Sequence, residues 1–154
     1  ELEKIISYTG DRNVVTGEDI QQVCTTQIQN KIFDMVRAVT EKNQKRALDL
    51  YYDLLTLKEP PMRILFLLAK QFRQLLLVKE YAEEGIPQPV MASRLGVPSF
   101  VAKNIAVCAR SYRISELRQA VTDFVDAEEA VKTGRLQDVL SVELLIVKYS
   151  SARR

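Results

Sequence analysis

The sequence predicts an all-α fold, a bundle of about eight to nine helices, and three observations predict it. Apolar residues recur at intervals of three and four along most of the chain, no segment alternates with period two over any length, and only five glycines interrupt the 154 residues. A chain of this length can bury roughly two-thirds of the surface its unfolded form exposes, so a single real core is expected.

Taken in order, Leu2, Ile5 and Ile6 form one helical face that ends at Tyr8 and Thr9, with Gly10 as its stop. The chain opens inside this helical pattern, at Glu1 and without a methionine, so a longer protein cut in or just before the helix is expected. Thr16 reads as the N-cap of a short second helix, with Glu18 and Asp19 in its first turn and Ile20 and Val23 inward. The polar run Thr25, Thr26 and Gln27 is the candidate boundary, dividing residues 1–24 from a domain over 25–154. Beyond it, Ile32, Phe33, Met35, Val36 and Val39 make a stripe broken at Glu41 to Asn43. Asn43 then caps a helix carrying Ala47, Leu48, Leu50, Tyr51, Leu54, Leu55 and Leu57, and the short connection predicts an antiparallel hairpin.

The central element is Pro60 to Gly85, a helix with proline at its start, glycine at its end and a length of about 36 Å. Ile64, Leu65, Leu68, Phe72, Leu75, Leu76 and Ala82 fall on one broad face, opposite Arg63, Lys70, Arg73, Gln74, Glu80 and Glu84. Phe66, Leu77 and Tyr81 sit among those charges and call for a second packing surface, supplied by this domain or by another chain. Pro87 and Pro89 introduce a short helix ending at Gly96, and Pro98 introduces another with Val101, Ile105, Val107 and Cys108 as its inner positions. The next helix starts at Ser115, half a capping box because Arg118 stands where a Glu would complete it. It carries Leu117, Ala120, Val121, Phe124 and Val125 to a stop at Thr133 and Gly134. From about Asp138 a last helix presents Val139, Leu140, Val142, Leu144, Leu145, Ile146 and Tyr149, then frays.

Composition narrows the chemistry. There is no histidine, which removes the commonest general base and the usual zinc ligand; no catalytic, cofactor-binding or metal-binding residue is expected. Cys24 and Cys108 lack CxxC spacing and read as small buried hydrophobes in a reducing cytosol. No apolar run is long enough to cross a membrane. Basic and acidic residues nearly balance, 22 against 20, so no global field points to a partner.

One local imbalance stands out. Residues 85–115 contain Arg94, Lys103, Arg110 and Arg113 and no acid. Within them, Pro89 to Arg110 (PVMASRLGVPSFVAKNIAVCAR) has helix-turn-helix spacing, with Ala92, the turn glycine Gly96, then Ala102 and Ile105. The four cations are candidate phosphate contacts. Yet the would-be recognition helix starts Pro98, Ser99, Phe100, Val101, without base-reading side chains, and a plain packing corner accounts for the same spacing. Lys132, Thr133 and Gly134 reverse the order of a phosphate loop and read as a helix stop, and Asp126, Glu128 and Glu129 read as an exposed helical face.

Four blocks together resemble the C-terminal part of the delta subunit of the bacterial DNA polymerase III clamp loader. They are ELEKIISYTGD with VVTGEDI, NKIFDMVRAV, MRILFLLAKQFRQLLLVKEY, and DAEEAVKTGRLQDVLSVELLIVKY, in the family's order, with the LGVPSFVAKN turn between the last two. Glu128 departs from the Asp the family often has before the AVKTG turn. The resemblance implies that residues 1–24 end a lid-like middle domain and 25–154 form a helical collar domain, through which five related subunits join in a ring. It implies further that the sliding clamp is bound by an N-terminal domain absent from this sequence, that delta hydrolyses no ATP, that DNA contact is at most indirect or non-specific, and that the protein works in the bacterial cytoplasm without cofactors. Arg63, Phe66, Lys70, Arg73, Leu77 and Tyr81 are the candidate subunit-interface residues. The alternative is a DNA-binding or regulatory helical protein using residues 89–110.

Overall fold

The computed structural model describes residues 17–151, and their side chains from residue 27 onward. Seven helices follow one another: α1 (Gly17–Thr40), α2 (Gln44–Thr56), α3 (Pro61–Glu83), α4 (Gln88–Leu95), α5 (Ser99–Ala109), α6 (Ile114–Lys132) and α7 (Asp138–Ser150). The all-α expectation holds, with seven helices among the described residues in place of eight to nine. The difference has a clear origin. Thr25, Thr26 and Gln27 do not break the chain: the two helices expected on either side run as one 24-residue α1. Polar residues are compatible with a helix wherever nothing competes for its backbone, and no glycine or proline interrupts this stretch. The helix expected over residues 2–8, Gly10, Thr16, and the side chains of Ile20, Val23 and Cys24 lie outside the described residues.

Local chemistry sets most of the ends. Pro60 is extended (φ −63°, ψ 131°) and Pro61 occupies the first turn of α3, where a missing N–H leaves no helical bond unmade. Gly96 ends α4 with φ 69°, and the Val97 amide donates back to the Ala92 carbonyl at 3.1 Å, the left-handed stop that glycine adopts without strain. Asn43 caps α2 by accepting from the Arg46 amide at 3.2 Å. At α6 the expected start at Ser115 moves back one residue. Arg113 is the N-cap, and the Glu116 carboxylate reaches back to accept its backbone N–H at 3.2 Å, so the acid supplying half of a capping box is Glu116.

The core is arranged around α3, which packs against α1, α4, α5, α6 and α7. Helices α1 and α2 form the expected hairpin, and α7 closes against α1, α2, α3 and α6. Ile64, Leu65, Leu68, Phe72, Leu75 and Val78 are the buried positions of α3; Val78 takes the inward place expected of Ala82, which is exposed. Phe72 lies at the centre, its ring centroid 5.1 Å from Phe124, 5.7 Å from Tyr149 and 6.1 Å from Tyr112, within the range of favourable tilted aromatic packing.

Polar groups tie the same centre together. The carbonyl of Tyr149, in the last turn of α7, accepts from Tyr112 Oη at 2.8 Å and from Lys42 Nζ at 3.0 Å, while the Lys42 ammonium lies 4.3 Å from the Tyr112 ring centroid. A cation at a helix C-terminus offsets the negative end of its dipole, and with the Tyr112 hydroxyl it satisfies a carbonyl that has no partner within the helix. On the other side, Asp123 of α6 accepts from Tyr149 Oη, from Lys148 Nζ at 2.7 Å and from Gln119 Nε2 at 2.8 Å. Burial alone pushes the Asp123 carboxyl up, but these three donors outweigh it and hold it below its ordinary value. Burial pushes the Tyr149 phenol up, and the facing Asp123 carboxylate pushes it further.

Candidate interaction surfaces

The outward side of α3 carries the residues singled out by the sequence. Arg63, Phe66, Lys70, Arg73 and Leu77 are all exposed and follow one another at intervals of three and four, a single stripe along the helix. Phe66 is 59% and Leu77 39% accessible, on a helix whose inward face is otherwise buried. Tyr81 is different. It packs partly against the core, with the Arg94 guanidinium 5.3 Å from its ring centroid. It therefore forms the edge of the stripe, where α3 meets α4.

The charge of the stripe is positive. Among the described residues Lys70 and Arg73 have no acidic partner, and Arg63 is paired with Glu59 at 3.9 Å, too long for a hydrogen bond and half-exposed. Glu80, at one flank, is engaged by Arg118 of α6 at 3.5 Å. That ion pair and the Phe72–Phe124 contact fix α3 and α6 as antiparallel neighbours. Large apolar side chains therefore stand open among long cations along this face.

The four candidate phosphate contacts have different local settings. Arg94 is held over Tyr81, and Arg113 serves as the backbone N-cap of α6. Lys103 and Arg110 do belong together, on the exposed face of α5 with Phe100 and Val107. Val107 corrects the expectation of an inner position: it is 51% exposed, since Ala102, Ile105, Cys108 and Ala109 already fill the inward arc. The corner between α4 and α5 is closed by buried Ala92 and Ala102, the small side chains that let two helices cross closely. Burial pushes the Cys108 thiol up, as fits a small core residue.

Elsewhere, Leu140 and Leu144 of α7 and Val125 of α6 are exposed, against the expectation that they face inward. Their inner neighbours Val142, Leu145, Ile146 and Phe124 already occupy the core, so the apolar arc of each helix is wider than the surface available to cover it. Lys132 pairs with Glu128 at 2.8 Å and Thr133 Oγ1 donates to the Glu129 carbonyl at 2.9 Å, the helix-stop geometry expected of AVKTG. Among the described residues no group of three or more acidic or cysteine side chains is placed to hold a metal ion, and no helix is long and apolar enough to cross a membrane.

Fold and surface together define a class: an all-helical domain with one shared core and a basic, partly apolar outward face on its central helix. Within that class the chain belongs to a particular family, the C-terminal domain of the DNA polymerase III delta subunit, whose sequence model matches residues 29–149. It is 30% identical over 148 residues to DNA polymerase III subunit delta of Bacillus subtilis, covering 96% of this chain and 43% of that protein. Among solved structures, the Bacillus subtilis DNA clamp loader delta protein superposes with a TM-score of 0.77 at 29% identity, over 97% of this chain and 44% of the other. The chain thus spans less than half the length of these relatives. The match does not favour a free-standing helix-turn-helix regulator.

Proposed function

We propose that this chain is an assembly module of a clamp loader: a helical collar over residues 25–154, preceded by the end of a lid-like domain over 1–24. In this reading it joins the other loader subunits through the outward face of α3, works in the bacterial cytoplasm and contributes no catalytic group. The sliding clamp is engaged by a part of the longer protein that precedes it. The observation that carries the proposal is the α3 stripe, where Phe66 and Leu77 stand open between Arg63, Lys70 and Arg73 on the helix that otherwise builds the core. A helix with so much inward apolar surface gains nothing for its own fold from two further large apolar side chains in water.

The test is co-purification with the other clamp-loader subunits of the same organism. Leu77→Asp sets an acid in the stripe at an exposed position, so helicity should be unchanged while recovery of the complex falls. Undiminished assembly would remove Leu77 from the interface; Arg73→Glu, probed in parallel, would then show whether the rest of the stripe takes part.

A further inference from the structure

We infer that the cleft where α3, α4 and the end of α5 meet binds a small zwitterion with an apolar side chain, the chemistry of a free α-amino acid. The cleft has a volume of about 430 Å³, within the range of small-molecule sites. Val78, Met91, Ala106 and Ala109 form its apolar wall, while Lys79 and Arg110 bring cations to it and Glu83 an acid. Val78, Met91 and Ala109 are buried, so the wall is part of the core and keeps its shape without a ligand.

The charges around the cleft are left in a state that one ligand would resolve. Among the described residues, none of Lys79, Glu83 and Arg110 is in an ion pair. Lys79 and Glu83 stand one turn apart on α3, in the order less favourable for pairing, and Lys79 Nζ donates instead to the Ala109 carbonyl at 3.2 Å. That bond carries its ammonium to the end of α5, next to Arg110, so two cations gather where one suffices to offset the helix dipole. Glu83 has the opposite setting. It is the last residue of α3, at the negative end of that helix, and the last turn holds no basic residue to offset it. Glu80, in the same turn, is already engaged by Arg118.

The cleft thus has a positive side at the end of α5 and a negative side at the end of α3. A carboxylate facing Arg110 and Lys79 and an ammonium facing Glu83 would neutralise both, with the side chain against Val78 and Met91. Gln88, at the start of α4, adds an amide able to donate to the one or accept from the other. A simple anion is repelled by Glu83 and a simple amine by the two cations, whereas a zwitterion answers both signs. None of these residues belongs to the α3 stripe, so the inference stands apart from the assembly proposal.

The experiment is an NMR chemical-shift titration of the whole chain with L-leucine, beside glycine, N-acetyl-L-leucine, which lacks the ammonium, and L-leucine methyl ester, which lacks the carboxylate. L-Leucine should saturate with a dissociation constant of about 1 mM or tighter, shifting the signals of Met91, Ala106 and Ala109. Glycine, without a side chain, and each blocked leucine should bind about tenfold more weakly. Arg110→Gln and Glu83→Gln, both at exposed positions, should each lower the affinity for L-leucine about tenfold, and circular dichroism checks that the fold persists. Glu83→Gln should not weaken N-acetyl-L-leucine, which has no positive charge to lose a partner. Three outcomes would overturn the inference: no shift with L-leucine at about 10 mM; N-acetyl-L-leucine binding as tightly as L-leucine, which would make the cleft a plain anion site; or an affinity untouched by both substitutions, which would place the ligand elsewhere.

Discussion

Replacing Asp123 by Asn should cost the domain about 2 kcal/mol at neutral pH, an amount typical of hydrogen bonds to a charged group, here a half-buried one. The carboxylate accepts from three donors, Tyr149 Oη, Lys148 Nζ and Gln119 Nε2, and joins α6 to the last turn of α7. Lys148 is 58% exposed, so its ion pair contributes little, and most of the cost falls on the bond from the buried Tyr149. For a domain of this size the loss corresponds to a melting temperature lower by roughly 4–8 °C. The pH dependence sharpens the expectation. The native carboxyl titrates below its ordinary value of 3.8, so its contribution is complete above the unfolded value and is lost as pH falls through the lower native one. The stability gap between the natural chain and Asp123→Asn, measured by urea unfolding, should therefore hold steady from pH 7 to about 5 and close below about 4. Tyr149→Phe should remove most of the same stability without adding to it in the double variant. An Asn variant as stable as the parent at pH 7, or a gap of unchanged size at pH 3, would refute the reasoning.

The two lysines in left-handed conformation should respond in opposite ways to glycine. Lys58 (φ 64°) ends α2 with an exposed side chain, so Lys58→Gly should raise stability by about 0.5–1 kcal/mol in thermal unfolding. Lys42 (φ 61°) holds the Tyr149 carbonyl and the Tyr112 ring, and Lys42→Gly should lower stability by about 1 kcal/mol despite the same relief of strain. Phe72→Ala should cost about 3–5 kcal/mol, seen as a lower urea midpoint, because Phe124, Tyr112 and Tyr149 cannot all collapse onto one void.

Much of α3 was legible in the sequence. The double proline, Gly85 and the spacing of Ile64, Leu65, Leu68, Phe72 and Leu75 specify its ends and inward side from local rules alone, and Phe66 and Leu77 declared themselves as misfits on the polar side. The exposure of Val107, Leu140 and Leu144 was not legible, because periodicity identifies an apolar arc but not how much of it neighbouring helices can cover. Nor could spacing reveal that α1 runs unbroken through Thr25 and Gln27, since a polar run without glycine or proline is silent about helix or loop. The contacts of Tyr149 with Lys42, Tyr112 and Asp123 join residues 26 to 107 positions apart, and no local pattern encodes such meetings. Of the four cations in residues 85–115, the structure brings Lys103 and Arg110 to one face and sends Arg94 and Arg113 to other duties, a division that only the packing of α4 and α5 decides.

The position of α7 has a consequence for how this domain comes into being. Because Tyr149 closes one side of Phe72 and its carbonyl receives Lys42, from 107 residues earlier, the core is completed by a helix synthesised after the other six described. A nascent chain lacking residues 138–150 leaves Phe72, Tyr112 and the inner faces of α1 and α2 open to water, and contacts of such long range form slowly. Until α7 leaves the ribosome, the growing chain presents a sticky groove that α7 covers in the finished domain, and that interval is when chaperones would be needed most.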